Sequence, residues 1–212
     1  MPKIVDHDQR REEIAQVACR VVARYGFERA TVARIARAAG YTTGMVAHYY
    51  DTKQDIILAA LRLMLRRIEQ RLLHPRAAGG EDLLGVLSEM LPADPQRFME
   101  SAFWMAFWGQ VPANPAVKRL NAWVHREYLR LYERCLATHW PEWPQWPPAV
   151  RDRVRRSVIT CINGLTAGAV TSPRDWPPRL QVEQLELQLE LLRRWASTGA
   201  RGSTRRQSRQ RG

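Results

Sequence analysis

Apolar residues recur at the spacing of an α-helix along almost the whole chain, and this periodicity is the feature that most limits the fold. The i, i+3, i+4, i+7 pattern that defines an amphipathic helix occurs first at 9–24. The further helical windows are 31–39, 42–49, 54–72, 81–91, 95–110, 114–139, 148–171 and 179–196. No useful length of sequence alternates apolar and polar residues as a half-buried strand does. The sequence therefore predicts an all-α protein.

Charge and cysteine content narrow the class further. The 212-residue chain has a formal net charge of +12, and five of its arginines lie in 197–212, which contains no acidic and no large apolar residue. Such a composition predicts a disordered tail. The three cysteines, Cys19, Cys135 and Cys161, show no CxxC spacing, which favours a reducing compartment over a disulfide framework or a zinc site. We expect a cytoplasmic protein without a membrane span, because there is no signal-like apolar start and no apolar run of about 18 residues.

The clearest linker is the segment 75–80, with the sequence PRAAGG. We expect three regions around it: an N-terminal domain over 1–55, a helical domain over 56–196, and the basic tail over 197–212. The first of these regions holds the most specific motif.

Two short helical segments around Gly40 have the arrangement of a helix-turn-helix motif. Thr31 is suited to cap the first segment, and Thr42 is suited to cap a second one that ends near Tyr49. In such motifs the second helix lies in the major groove of DNA, and the turn before it must be tight. The spacing therefore nominates double-stranded DNA as the partner.

The residue types of the second helix fit this position. Thr43 and Gly44 are small, so the start of the helix can approach the edges of the bases. His48 lies one turn later and can reach a base or a phosphate, while Tyr49 and Lys53 offer a hydroxyl and a cation to phosphates. The candidate DNA-binding residues are Thr31, Thr42, Thr43, Gly44, His48, Tyr49 and Lys53.

Four motifs within 9–58 occur in the order of a known DNA-binding domain. They are the YGF turn, the AT-x-x-x-IA-x-x-AG segment, the TTG start of the second short helix, and the YY-DTK-x-x-I exit. Together they resemble the tetracycline-repressor (TetR) family, which implies a three-helix DNA-binding domain followed by a helical domain for ligand binding and dimerisation. One departure is Ala47, where many members carry a tyrosine that contacts phosphate.

The C-terminal part resembles a subgroup of the same family. The stretches WMAFW at 104–108 and INGL at 162–165 are similar to those of BetI-type repressors of glycine-betaine synthesis. The resemblance implies a small-molecule effector held between helices, with a choline-like or amine cation as the candidate.

Trp104 and Trp108 are the first candidates for effector binding, because residues four apart share one face of a helix. An aromatic pair can hold an organic cation through cation–π contact, although simple core packing explains the same spacing. Glu100 and Tyr128 are further candidates for the lining of the effector pocket. The prolines between Trp140, Trp143 and Trp146 indicate a polyproline-like segment at the surface. Such a segment can pack, form a lid over a pocket or cover the edge of a dimer, and packing is favoured.

The last two long windows predict a homodimer. Their apolar stripes exceed what the core of one subunit can cover, and paired helices form a four-helix interface in many dimers. On 179–196 the main stripe contains Leu185, Leu189, Leu192 and Trp195, whereas Leu187 and Leu191 fall outside it. Such a helix is contacted on two sides.

These features together predict a transcriptional regulator, a repressor that binds a pseudo-palindromic operator as a dimer and responds to a small molecule. The alternative is a nonspecific architectural or RNA-binding helical protein that uses its basic tail. We do not expect an enzyme, because the sequence contains no HExxH, GxSxG, P-loop or Rossmann motif. No cofactor and no metal site are expected.

Overall fold

The structure is a computed structural model, and it describes residues 7–74 and 82–209, with side chains as far as residue 198. Every long regular element in these ranges is an α-helix, as predicted, and none of them is long and apolar enough to cross a membrane. The helices are α1 His7–Tyr25, α2 Val32–Ala39, α3 Thr43–Tyr49, α4 Lys53–Leu73, α5 Leu83–Ser88, α6 Pro95–Trp108, α7 Pro115–His139, α8 Pro148–Thr171 and α9 Pro178–Arg209. The predicted linker at 75–80 lies outside the described residues.

The first three helices form a small three-helix bundle that we call the head, residues 7–50. Its centre is built from side chains without solvent exposure, among them Ile14, Ile35 and Val46 from the three helices. The glycine at each of the two turns has a positive φ, 79° at Gly26 and 74° at Gly40. Glycine takes this left-handed conformation without steric cost, so both helices that precede these turns end where the sequence predicts.

By compactness the chain divides into two units. The first contains the described residues up to Ile68 together with Asp94–Tyr128, and the second contains Glu69–Ala93 and the described residues from Leu129 onward. The first unit extends beyond the predicted boundary at residue 55 because α6 packs along α1 of the head. The predicted domains 1–55 and 56–196 are divided by function rather than by compactness, so this division stays a prediction.

In the second unit, α9 packs against α8 and α5. Val154, Val158 and Ile162 of α8 are buried, as are Leu185 and Leu192 of α9. Trp195, predicted to share that buried stripe, is instead 41% exposed. Ten positions after Leu185, a helix of 3.6 residues per turn places Trp195 about 80° from the line of the buried residues, whereas Ala196, one position later, is completely buried.

The tryptophan-rich connection after α7 corrects another expectation. It contains a short 3₁₀-helix, Trp143–Gln145, rather than a polyproline-like segment. Trp140, Trp143 and Trp146 are all buried, with ring centroids 5.0–6.3 Å apart. Aromatic burial outweighs the extended preference of the prolines, because each tryptophan removes a large apolar area from water.

The end of the chain also differs from the prediction. Helix α9 continues to Arg209, whereas the sequence predicts disorder over 197–212, and residues 210–212 lie outside the described part. The hydroxyls of Ser197 and Thr198 donate to the carbonyls of Arg193 and Trp195, at 2.9 and 2.8 Å. These polar side chains are therefore satisfied within the helix, and no proline interrupts it after Pro178.

Candidate DNA-binding site

The start of α3 is fixed by local hydrogen bonds. The Thr42 hydroxyl accepts from the amide of Met45 at 3.1 Å, and in the same way the Thr31 hydroxyl accepts from the amide of Arg34 at 3.2 Å before α2. Both threonines cap helices, as predicted, and both are exposed. A hydroxyl that accepts through its oxygen still has a proton to donate to a phosphate.

Helix α3 presents one exposed side. Thr43, Gly44 and His48 are exposed, whereas Val46 is completely buried and anchors the helix to the head. The structure therefore brings these three candidate residues together on a single solvent-facing surface, which we call the reading face.

Two residues of the head hold the end of α3. The Arg11 guanidinium donates to the carbonyl of Tyr49 and lies 4.4 Å from the centre of the Tyr50 ring. In return the Tyr50 hydroxyl donates to the carbonyl of Arg11 at 2.8 Å. Burial raises the pKa of Tyr50, so its phenol stays protonated as the donor. The reciprocal bonds restrict how α3 can tilt relative to α1.

A second contact from α1 reaches the residue after the turn. Glu13 accepts from the Tyr41 hydroxyl at 2.8 Å and from Arg10 at 2.8 Å, and Arg10 also donates to the Tyr41 oxygen. The hydrogen bond from Tyr41 and that from Arg10 lower the pKa of Glu13. Sequence patterns do not reveal this network, because Tyr41 lies 28 and 31 residues from its two partners.

His7 is a further residue that no sequence pattern nominates. Its ring centroid lies 4.8 Å from that of Tyr49 and 6.1 Å from that of His48, and the last two rings are 5.3 Å apart. Tyr49 thus contacts both imidazole rings and is half-buried. The imidazole of His7 lies beside the reading face, where no sequence motif could have placed it.

The Lys53 ammonium, which we expected to be available for a DNA phosphate, contacts backbone carbonyls of the same chain. It donates to the carbonyls of Phe27 at 2.8 Å and Glu28 at 3.5 Å, and it lies 5.0 Å from the centre of the Phe27 ring. Burial lowers the pKa of this half-buried ammonium. The contacts tie the first residue of α4 to the turn before α2, and the phosphate contact stays a prediction.

The predicted effector residues lie in the first unit. Trp104 and Trp108 are stacked on α6, with centroids 6.1 Å apart and planes at 30°, and both are half-buried. Glu100 lies one turn earlier, where its buried carboxylate accepts from Arg67 of α4 at 2.7 Å and from Gln96 at 3.2 Å. Tyr128 of α7 is half-buried. The structure thus confirms the shared face of the tryptophans and gives the Glu100 charge a partner within the same chain.

Comparison with known proteins decides the family. The sequence model of the bacterial regulatory proteins of the tetR family matches residues 14–60, and that of the BetI-type transcriptional repressor C-terminal region matches residues 79–194. The chain belongs to the TetR family, with a BetI-type C-terminal region. This TetR-family regulator is therefore a DNA-binding transcriptional regulator that uses a helix-turn-helix.

Relatives and solved structures agree with this assignment. The regulator is 32% identical over 114 residues to the transcriptional regulator PksA of Bacillus subtilis and 32% identical over 125 residues to BetI of Stenotrophomonas maltophilia. The alignments span 50% and 57% of this chain, and 54% and 64% of those relatives.

Solved structures share the fold at lower identity. A transcriptional regulator from Rhodococcus sp. Rha1 superposes with a TM-score of 0.73 at 23% identity, over 88% of this chain and 97% of that one. A transcriptional regulator from Saccharomonospora viridis, solved in complex with choline, superposes at 0.68 with 21% identity, over 86% and 96% of the two chains.

Proposed function

We propose that this TetR-family regulator is a repressor that binds a pseudo-palindromic operator as a homodimer and responds to a small organic cation. The observation that carries the operator part is the reading face. Gly44 lies within α3 at an ordinary helical φ, and a Cβ built there would meet nothing closer than the Thr42 hydroxyl oxygen at 3.9 Å. The fold of the subunit does not require glycine at this position, although glycine weakens a helix.

Close approach to the bases explains the glycine. An α-helix in the major groove contacts base edges through its first residues, so a side chain at position 44 would separate the backbone from the groove floor. Thr43 is then the candidate for base contact, while the Thr31 and Thr42 hydroxyls, His48, Tyr49 and Lys53 are the candidates for phosphates or for the rim of the groove.

The test is Gly44→Ala, because its two expected effects have opposite signs. The free energy of unfolding should rise by up to about 0.5–1 kcal/mol, the value for a glycine in the middle of a helix, since alanine favours the helix. Affinity for an operator selected from random duplexes should fall at least about tenfold. Thr43→Ala is the companion variant and should change the preferred base rather than the affinity for all sequences. Unchanged operator affinity in Gly44→Ala would contradict the proposed orientation of α3.

The homodimer is supported by the outer side of α9. Leu187, Leu191 and Trp195 are 50%, 51% and 41% exposed and follow one another at intervals of four residues. A contiguous exposed apolar stripe marks a contact surface in a soluble protein. A second copy is the occupant that the family and a palindromic operator both favour, and the two heads should then bind half-sites about 34–36 Å apart, or a multiple of that spacing.

The dimer test must leave the subunit core intact. Val154 of α8 and Leu189 of α9 are apolar residues of these two helices, but both are buried within the subunit, so charges there would unfold the subunit as well. Leu187→Asp with Leu191→Asp should instead give folded monomers in light scattering. A dimer that survives this double change would exclude α9 as the interface.

An organic cation as effector is supported by the paired tryptophans. Both rings are half-buried on α6, and α6 packs along α1 of the head, which gives a direct path from ligand to DNA-binding domain. A desolvated cation–π contact contributes about 2 kcal/mol. Trp108→Ala should remove the response to choline and related amines, while operator binding without effector stays within a few fold. If a Trp108→Ala protein with a normal melting temperature still responded to choline, the two rings would have only a packing role.

A further inference from the structure

A cleft separate from the stacked tryptophans lies in the first unit. Its volume is about 350 Å³, and it is formed by the turn before α2, the first turns of α4 and α7, and the loop between α6 and α7. Phe27, Ile57, Val117 and Leu120 give it apolar walls. This volume falls at the lower end of the range for small-molecule sites, which are mainly apolar with a few placed polar groups.

The cationic group that lines the cleft is Lys53. A lysine ammonium has three N–H donors, and two of them go to the Phe27 and Glu28 carbonyls. The third has no acceptor among the residues that the structure describes. Burial disfavours the charged form of this amine, so an anion at the third donor would offset the desolvation penalty of the ammonium.

Other polar groups of the cleft are compatible with an anion. The Asn114 side-chain oxygen accepts from the amides of Ala116 and Val117 at 3.0 and 3.2 Å, which leaves its NH₂ group as a donor, and Gln110 supplies a second amide. The opposing charge is Glu28, which is exposed and therefore screened by water.

We propose that this cleft binds a small amphipathic carboxylate. Its apolar body packs against Phe27, Ile57 and Val117, and its carboxylate accepts from the Lys53 ammonium. The ligand class is thus opposite in charge to the cation proposed for the tryptophans, so the two sites are distinguishable by chemistry.

The position of the cleft gives such a ligand a consequence for DNA binding. Phe27 and Lys53 lie in the part matched by the tetR-family model, and Val117 lies in the part matched by the BetI-type model. A bound carboxylate takes the remaining donor of the Lys53 ammonium and neutralises its charge, so the ammonium no longer attracts a DNA phosphate. This consequence rests on the proposed function, whereas binding of the carboxylate does not.

The binding experiment uses the full chain without DNA and two probes of nearly equal shape, 1-naphthylacetate and its neutral amide. Titration calorimetry should show that the acid binds at least about tenfold more tightly than the amide. Lys53→Met, which keeps the apolar stem, should weaken the acid at least about tenfold. Lys118→Met is the matched control, because Lys118 is an exposed lysine of α7 outside the lining, and it should leave the affinity unchanged.

A steric variant locates the probe. Ala116 is half-buried in the lining, and Ala116→Phe should fill the cleft and abolish binding while the melting temperature stays near that of the parent. If that variant does not fold, the comparison of Lys53→Met with Lys118→Met decides whether the acid binds in this cleft. Equal affinities for acid and amide, equal effects of Lys53→Met and Lys118→Met, or no binding of the acid up to about 5 mM would each overturn the proposal.

The consequence for DNA is measured separately, as operator affinity with and without saturating 1-naphthylacetate. We expect a loss of about threefold or more in the parent and none in Ala116→Phe. Binding of the acid without any change in operator affinity would retain the site and refute only its link to DNA binding.

Discussion

The buried ion pair between Arg67 and Glu100 permits the most quantitative prediction. Its atoms are 2.7 Å apart, and the side chains are only 17% and 5% exposed. Glu100→Gln keeps the shape but leaves the Arg67 charge without its counter-ion. Breaking a buried pair in this way costs about 3–5 kcal/mol, and we expect the lower end because Arg67 retains some access to water.

For a protein of this size, a loss of about 3 kcal/mol corresponds to a fall in melting temperature on the order of 10 °C. The control is Glu69→Gln, which breaks the pair with Arg134, where the atoms are 3.2 Å apart and the side chains are 43% and 61% exposed. Exposed pairs contribute about 0–1 kcal/mol, so the control should melt nearly as the parent does.

A double variant separates pairing from other roles of Glu100. Arg67→Met together with Glu100→Gln removes both charges, and urea denaturation should show recovery of most of the loss. If Glu100→Gln unfolded like the parent but lost affinity for choline, the carboxylate would be an effector ligand rather than the stabilising partner of Arg67, and the predicted loss of stability would be refuted.

Three further predictions follow from single side chains. Asp94 caps α6 by accepting from the Arg97 amide at 2.8 Å. Burial opposes ionisation of this carboxyl group, but the hydrogen bonds from Arg97 outweigh burial and lower its pKa. Its contribution to the free energy of unfolding is therefore present above the unfolded pKa of about 3.9 and is lost as the pH falls through the lower folded pKa. The difference in unfolding free energy between the parent and Asp94→Asn should therefore change only in that acidic window, and a constant difference would exclude the linkage. Burial raises the pKa of Cys19 and of Cys135 to about 12, so iodoacetamide at pH 8 should leave both thiols unmodified in the native protein. Rapid labelling of either cysteine, detected by mass spectrometry, would contradict their burial. Thr42→Ala should destabilise the head by about 1 kcal/mol while Thr42→Ser does not, and equal stabilities would show that the cap contributes nothing.

Local chemistry made much of the head predictable from the sequence. The caps at Thr31 and Thr42 and the turn at Gly40 depend on groups within three or four residues of one another, and the structure confirms all three. The shared face of Trp104 and Trp108 follows from helix geometry in the same way. Such features need no knowledge of tertiary structure.

What the sequence did not reveal depends on contacts between distant segments. The Tyr41–Glu13 bond, the Arg11 bond to the end of α3 and the Lys53 bond to the Phe27 carbonyl each join different helices or turns. Lys53 shows the effect most clearly, because a lysine next to a DNA-binding helix is expected at phosphate, yet nearby backbone acceptors hold its ammonium.

The central claim is that the reading face of α3 recognises DNA sequence. Its most direct test is fluorescence anisotropy of the parent protein with a selected operator and with a scrambled duplex of the same length and composition, over a series of salt concentrations. We expect the operator to bind at least about a thousandfold more tightly near physiological salt. Affinities that stay within about tenfold of each other at every salt concentration would show that charge alone drives binding, and would contradict the claim.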